Sequence, residues 1–371
     1  MNIQKMKNSF LFLLFTSLNI LSFAQTDTTA IEEEEDYSIY EDLDFVDEGT
    51  KRYANVKIKG LSPQKLITVG YDFQSGYDMD AGNLMRSDGT IIEGSAETAK
   101  VKSTQGLRAE ANIPVISKNS LIVQVGARYW GVKYDFEGDN YNHPLLNSIE
   151  SNNLTSIGLN TTIYKPINET NFLIFRLAGD MNGDYAMSDL QPMKYTKYSI
   201  AAIWGKRVSD YKQWGVGLSR TYRAGELNYI PVVMYNWTSA TSNWGTEILF
   251  PARGHVRYSL NSRNLLFAGF ELEGNSYRIG NRNNTALAEP FDELEIRRGE
   301  LRFRLMYERQ ITGFLWLSAQ FGYRYDYSFN LDRLANGDEF FRGFFGDQEY
   351  VSENELTNPL YFNLSINLVS P

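Results

Sequence analysis

Apolar and polar residues alternate over about fourteen stretches of the chain, the pattern of β-strands with one apolar and one wet face. In the clearest stretch, 315–327 (LWLSAQFGYRYDY), every second residue is apolar or aromatic. At roughly 3.3 Å per residue this stretch extends about 43 Å, enough for a tilted strand to cross a hydrocarbon layer. No stretch has the periodicity of a helix, so an all-β fold is predicted. The stretches are approximately 64–73, 102–114, 120–134, 152–165, 172–182, 194–206, 213–223, 227–237, 243–251, 253–262, 264–277, 294–309, 314–328 and 357–369.

The connections between these stretches sort into short turns and long loops. Connections after even-numbered stretches are short, as at 116–119 and 310–312. Those after odd-numbered stretches are mostly long, including 74–101 and 329–356, although the two near 224–226 and 251–252 are short. This arrangement is typical of outer-membrane barrels with both termini in the periplasm. We therefore predict a transmembrane antiparallel up-and-down β-barrel of about 14 strands, within a range of 12–16.

Aromatic residues gather near the two ends of the predicted strands. Amphipathic rings favour the headgroup zone of a bilayer, so two such bands indicate the girdles of a membrane barrel. A soluble β-sandwich, the alternative fold, buries its aromatic residues in the middle of its strands. The predicted girdle consists of Trp204, Trp214, Trp237 and Trp244 near short turns, and of Tyr71, Tyr129, Tyr323 and Tyr325 near long loops.

The first sixty residues differ in composition from the rest of the chain. Residues 1–24 have Lys5 and Lys7, an apolar run at 10–21 and a small-x-small site ending at Ala24, which together predict a cleaved signal peptide. An N-terminal membrane anchor is the alternative interpretation. Residues 25–50 contain eleven acidic residues and no Lys or Arg, so we expect residues 25–60 to form an acidic, mostly disordered segment. The net charge of −9 belongs to this segment, and the predicted barrel, 61–371, is close to neutral.

Composition excludes several classes of protein. A mean hydropathy of −0.37 with 22% charged residues argues against a bundle of membrane helices. The chain has no Cys, which removes disulfides, thiolate metal sites and cysteine nucleophiles. It also contains no phosphate-binding glycine loop and no basic patch for nucleic acid.

One continuous motif carries a resemblance to a known family. The sequence FPARGHVRYSLNSRNLLFAGFELEGNSYRIG at 250–280, preceded by the signal and the acidic segment, resembles an uncharacterised family of bacterial outer-membrane β-barrels, a domain of unknown function. The resemblance implies a barrel over most of 64–369 and no assigned activity. Barrel chains usually finish on an aromatic residue, whereas this sequence finishes Asn-Leu-Val-Ser-Pro. Phe362 and Leu368 then serve as the assembly signal, or a different assembly route is implied.

If the apolar face points to lipid, the opposite face lines the lumen. Charges of both signs on this face fit either a salt-bridged, solvated interior or a pore whose arginines select anions. The lumen candidates are Arg108, Glu110, Arg128, Arg176, Asp180, Lys197, Arg223, Glu247, His255, Arg257, Glu271, Glu273, Arg302, Arg304, Glu308, Gln320, Arg324 and Asp326.

Candidates for catalysis or metal binding are weak. His255 and Ser259 share a face, but four residues along a strand separate them by about 13 Å, too far for a base and its nucleophile. A site built around His143 with Asp135 and Asp139 is a remote alternative. Two groups of oxygen ligands, one at 78–83 and the other at 332–338, depart from a calcium loop at its glycine. We therefore predict no catalytic residue, no metal and no cofactor.

The leading hypothesis is a passive or modestly selective channel for small solutes in the outer membrane of a Gram-negative bacterium. A closed structural or adhesive barrel with surface loops is the alternative, and an outer-membrane hydrolase is a remote one. The expected partners are outer-membrane lipid and lipopolysaccharide, the barrel-assembly machinery and a periplasmic partner of the acidic segment, but no nucleic acid.

Overall fold

The computed structural model describes residues 54, 57–185, 196–222, 227–279, 294–333 and 350–370. The chain divides into two compact units, 1–50 and 51–371, and all described residues belong to the second. Arg223, a predicted lumen residue, lies outside the described residues. The elements are β1 (Lys65–Gln74), β2 (Tyr77–Ala81), β3 (Leu84–Met85), β4 (Ile91–Ile92), β5 (Glu97–Lys118), β6 (Leu121–Phe136), α1 (Pro144–Ser151), β7 (Leu154–Pro166), β8 (Asn171–Gly183), β9 (Thr196–Ser209), β10 (Lys212–Thr221), β11 (Asn228–Thr238), β12 (Trp244–Phe250), β13 (Arg253–Asn261), β14 (Asn264–Ile279), β15 (Leu294–Thr312), β16 (Leu315–Arg333), β17 (Asn354–Leu356) and β18 (Leu360–Val369).

Fourteen of these strands form a closed antiparallel barrel. Each strand from β5 to β16 pairs with the next, β16 pairs with β18, and β18 pairs with β1. The ring closes because β1 also pairs with β5, with Thr68 opposite Glu110. The predicted all-β fold and the count of 14 strands are confirmed. Closure leaves no exposed edge in the ring, as a strand surrounded by lipid requires.

The outer surface of the ring is apolar and its inner surface is polar. On β1, Val69, Tyr71 and Phe73 are 48%, 47% and 41% exposed, whereas the alternating Asp72 and Gln74 are buried. The same alternation runs along β18, where four outward apolar residues separate inward polar ones. A surface that exposes large apolar side chains on every second residue fits hydrocarbon rather than water.

Among the described residues, no helix is both long and apolar enough to cross a membrane.

The rim of the barrel is uneven at the long-loop end. β13 begins at Arg253, directly after the turn from β12, and Arg253 pairs with Glu271 of β14. β14 continues eight residues beyond this pair, to Ile279, and therefore extends above β12 and β13. There Arg278 bridges Gly183 of β8, passing over the shorter strands β9–β13. On the other side, β17 pairs with β2, which pairs with β5. A narrower ring of strands therefore stands above the barrel on its long-strand side.

An apolar core fills this narrower ring, and we call it the long-loop core. It includes α1, which the sequence analysis did not predict, so the statement that no stretch is helical was wrong. Pro144 at the first helical turn and His143 as N-cap start the helix, and Leu145 and Leu146 are fully buried. The core comprises Tyr77, Met79, Ala81, Leu84, Ala99, Val101, Trp130, Val132, Tyr134, Phe136, Leu145, Leu146, Ile149, Leu154, Tyr277, Ile279, Leu294, Ile296, Phe329, Leu331 and Val351.

The segment 57–64, which we call the lead-in, crosses the short-turn mouth before β1. The Lys59 N–H donates to the Asp210 carbonyl at 2.7 Å, in the turn between β9 and β10. Gly60 has a φ of +71°, and a side chain there would meet Thr238 at 2.8 Å. The Ser62 hydroxyl donates to Glu247 at 2.7 Å. The lead-in is therefore fixed to strands on the far side of the mouth.

Candidate functional site

A cavity of about 550 Å³ lies inside the barrel. The lead-in contributes Lys57 and Ser62 to its wall, and strands β1, β5–β8, β12–β16 and β18 contribute most of the rest. Its lining is mostly polar or charged, because the inward positions of these strands are polar. A volume of this size is in the range of small-molecule sites.

Ion pairs organise the lower wall of the cavity. The Lys65 ammonium lies 2.5 Å from the Glu308 carboxylate. Higher on the same strand, Arg304 donates to Glu271 at 2.5 Å and to Nε2 of His255 at 3.1 Å. His255 is therefore an acceptor at Nε2, and its role in the described structure is to orient Arg304.

Above the cavity, four arginines and four acids form one buried group, which we call the arginine network. Its charges balance, which is required of ionised groups removed from water. It separates the cavity from the long-loop core. Its members are Arg108, Arg298, Arg302, Arg324, Asp72, Glu273, Glu300 and Asp326.

Glu300 is at the centre of the arginine network. Its side chain is fully buried and accepts from Arg298 Nη2 at 2.8 Å and from Arg302 Nε at 2.6 Å. Arg324 Nε lies 3.7 Å from the same carboxylate and 2.8 Å from Asp326. One carboxylate therefore holds three arginines that would otherwise repel one another.

The other half of the network joins four strands, β1, β5, β14 and β15. Arg108 of β5 lies 2.9 Å from Asp72 and 2.8 Å from Glu273. Arg302 binds the same Glu273 at 2.9 Å. The guanidinium groups of Arg108 and Arg302 also stand 4.6 Å and 5.7 Å from the ring centre of Trp130, on the underside of the long-loop core.

Most of the predicted lumen residues that the structure describes lie inside the barrel, but in different environments. Arg128 pairs with Asp180, Lys197 with Glu295 and Arg257 with Glu247. The arginine network contains Arg108, Glu273, Arg302, Arg324 and Asp326. The candidates on the cavity wall are Arg108, Glu110, Arg176, Glu247, His255, Glu271, Arg302, Arg304, Glu308 and Gln320.

Three members of the network were not predicted from the sequence: Asp72, Arg298 and Glu300. All three occupy inward positions in the alternation of stretches that were predicted as strands, so this alternation could have identified them as inward-facing. Their ion pairs depend on contacts between strands that are distant in sequence, such as Asp72 with Arg108.

The predicted girdle residues lie on the outer surface. Trp204 and Trp244 are 37% and 49% exposed near the short-turn end. Trp204 packs edge-on against Trp214, with ring centres 5.5 Å apart. Trp237 is partly exposed, and Tyr71, Tyr129, Tyr323 and Tyr325 are exposed towards the long-loop end.

His143 has a structural role in α1. Its Nδ1 accepts from the Leu145 N–H at 3.3 Å, and Nε2 lies 3.1 Å from the Gly82 carbonyl. Burial lowers the pKa of His143 to about 4, which keeps the ring neutral with its proton on Nε2. Ser259 accepts from Arg257 at 3.2 Å rather than contacting His255.

The acidic loop residues considered for metal binding have protein partners. Asp80 accepts from Thr98 at 2.7 Å, and Asn83 accepts from the Ala96 N–H at 3.0 Å. Asp332 lies 2.7 Å from Arg297. Over the described ranges of the chain, no group of three or more His, Asp or Glu side chains is placed to hold a metal ion.

A family model described as "Domain of unknown function (DUF6268)" matches residues 66–367. The chain belongs to this family. The match covers almost the whole barrel of this DUF6268 protein, so the predicted membership of an uncharacterised barrel family is confirmed. No curated protein matches the chain.

Solved structures similar to the DUF6268 protein include several barrels. A FadL homologue from Pseudomonas aeruginosa is 9% identical, with a TM-score of 0.38 over 82% of this chain and 90% of that one. The COG4313 outer membrane channel from Pseudomonas putida F1 is 13% identical, with a TM-score of 0.33 over 84% and 97%. The outer membrane protease OmpT from Escherichia coli is 9% identical, with a TM-score of 0.32 over 84% and 99%.

Proposed function

We propose that this protein is an outer-membrane channel for small polar solutes, closed at its long-loop end in the described state. The single observation that carries the proposal is the charged cavity of about 550 Å³ inside a ring of 14 strands. A ring of this size has room for a lumen, and here the lumen is polar and partly open. The apolar outer surface supports placement in the outer membrane of a Gram-negative bacterium, in contact with lipid and lipopolysaccharide.

Passage through the barrel requires the long-loop end to open. Within the residues that the structure describes, the arginine network and the long-loop core together occupy the space above the cavity. The core combines the extended ends of barrel strands with segments that return to the rim, among them α1 and β2, and β2 is paired to β17. Separation of these loops is the smallest movement that would expose the network to water.

The absence of Cys allows a disulfide to test this movement. Asp80 on β2 and Glu355 on β17 are exposed and directly opposite in an antiparallel pair, within the Cα separation that a disulfide accepts. We expect the oxidised D80C/E355C protein in planar bilayers to lose the wild-type conductance and to regain it on reduction. A Q105C/K133C disulfide, which joins β5 to β6 within the wall, should leave conductance unchanged.

The closed structural or adhesive barrel remains a second candidate, because the buried network and core resemble a permanent closure. Folded wild-type protein, identified by a heat-modifiable gel shift, that conducts no current would support this candidate and refute the channel. Conductance that persists in the oxidised D80C/E355C protein would refute opening at β2 and β17.

We also propose two partners that the fold implies. A membrane barrel of this type requires the barrel-assembly machinery for insertion. The acidic segment, 25–50, precedes the lead-in in the sequence, and its charge suits a basic periplasmic partner. Co-purification of a basic protein with the full chain, but not with a chain lacking 25–50, is the expected result.

A further inference from the structure

Two arginines that face the cavity have no hydrogen-bond or ion-pair partner among the residues that the structure describes. Arg176 lies on β8, and Arg253 is the first residue of β13. Neither side chain makes a hydrogen bond or ion pair with any residue in the described parts of the chain. The other arginines of the barrel interior described above, from Arg108 to Arg324, each have a carboxylate partner.

The neighbours of Arg176 explain why it is unpaired. Its partners on the adjacent strands are Thr162 and Ala201, neither of which carries a charge. Asp180, two inward positions further along β8, is held by Arg128 at 2.5 Å. Glu110 attracts the charge of Arg176 across the lumen without forming an ion pair with it.

Arg253 is unpaired for a similar reason. Its strand neighbours are Leu249 and Glu271, and Glu271 is held by Arg304 at 2.5 Å. Arg253 and Arg176 line the same cavity, where their like charges repel each other. Two cations directed into one cavity form a region that an anion would stabilise.

The charge of the whole cavity points the same way. Seven Lys and Arg side chains line it against five Asp and Glu, a surplus of two positive charges. The surplus equals the number of arginines without a partner. Neutral donors and acceptors, Gln124 and Thr162 among them, complete the wall near Arg176.

We propose that the cavity binds a small organic anion through its carboxylate, between Arg176 and Arg253. The inference rests on the proposed channel for its biological meaning and names the solute class. Arginine presents a planar fork of donors that matches a carboxylate in two parallel hydrogen bonds. Glu110, which lies near Arg176, weakens the site and limits how tightly an anion is held, as release from a channel requires.

Calorimetric titration of the detergent-solubilised full chain with succinate tests the site without any conductance. We expect saturable binding that is weakened roughly tenfold or more in Arg176→Gln and in Arg253→Gln, because each loses a charge-assisted pair. Glu110→Gln should change affinity in the opposite direction and bind succinate more tightly. Arg309→Gln, an exposed residue outside the cavity, is the matched control and should bind as the wild type does.

Three outcomes would overturn the proposal: wild-type protein that binds no succinate, unchanged affinity in both arginine variants, or weaker binding in Glu110→Gln. Tighter binding of inorganic phosphate than of succinate would overturn the assignment of a carboxylate. A heat-modifiable gel shift confirms that each variant is folded. Succinate binding without conductance would refute the channel but support the anion site. Conductance without succinate binding would refute the anion site but support the channel.

Discussion

Neutralising the central carboxylate of the arginine network should open the barrel. Glu300→Gln keeps the size of the side chain but removes its charge and turns one acceptor oxygen into a donor facing an arginine. Three arginines within 4 Å of Glu300 then lose their common partner, and the network changes from neutral to a net charge of +1. Loss of one member of a buried ion pair costs about 3–5 kcal/mol.

The open state hydrates these arginines, so most of this cost falls on the closed state. At about 1.4 kcal/mol per tenfold change, the equilibrium between closed and open barrel should shift by roughly two to three orders of magnitude. Single-channel recording in planar bilayers measures this shift as open probability. The substitution should also make amide hydrogen exchange faster in β15 around residue 300. It should leave exchange unchanged in β10, which carries no member of the network.

Glu308→Gln is the matched control, because it removes another buried inward carboxylate from the same strand. Glu308 binds Lys65 at 2.5 Å in the lower wall of the cavity, near the short-turn end and away from the network. Its loss should lower stability without raising open probability. An unchanged open probability in Glu300→Gln, or an equal rise in Glu308→Gln, would show that the network does not seal the barrel.

Two further predictions concern the long-loop core. Burial lowers the pKa of His143 from 6.5 to about 4, so between these pH values the unfolded chain binds the proton that the folded ring excludes. The stability of α1 should be complete above about pH 6.5 and fall towards pH 4 by about 3 kcal/mol, seen as faster amide exchange in α1 at pH 5 than at pH 7. His143→Asn keeps an N-cap acceptor without a titrating ring, and exchange that still depends on pH in this variant would contradict the assignment. Trp130→Leu, which removes the ring beneath Arg108 and Arg302, should lower the free energy of unfolding by roughly 3 kcal/mol in urea titration, whereas the lipid-facing Trp244→Leu should lower it by less.

The sequence predicted the barrel well, because a strand between lipid and a polar lumen must alternate at every second residue. The fourteen predicted stretches correspond to the fourteen strands of the ring, with ends that differ by a few residues. The largest differences are at β5, which begins earlier than predicted, at Glu97, and at β16, which ends later than predicted, at Arg333. These extensions leave the membrane, where alternation with an apolar outer face no longer holds.

The structure above the membrane could not be predicted from alternation. On β16 the register with β15 shifts near Tyr327, so that Gly299 faces Ser328 while Glu300 faces Asp326. Beyond this bulge the inward positions change parity, and Phe329 and Leu331 become buried in the long-loop core. A single extra residue is invisible to a pattern of period two. The signal for α1 was the helical spacing of the apolar residues Leu145, Leu146 and Ile149 directly after Pro144.

The arginine network lies where one set of strands changes its outer environment. Along β6, the outward side is apolar at Val125 and Tyr129 but charged at Lys133, while the inward side changes from Gln124 to the buried Tyr134. Below the change the strand faces lipid outside and a polar cavity inside; above it, the strand faces water outside and an apolar core inside. At the level of the change, the interior must join a polar cavity to an apolar core. Arginines do this, because their guanidinium groups pair with carboxylates while their planar faces stack on a ring such as Trp130. The network therefore follows from the change of environment along these strands, from lipid to water outside and from a polar cavity to an apolar core inside.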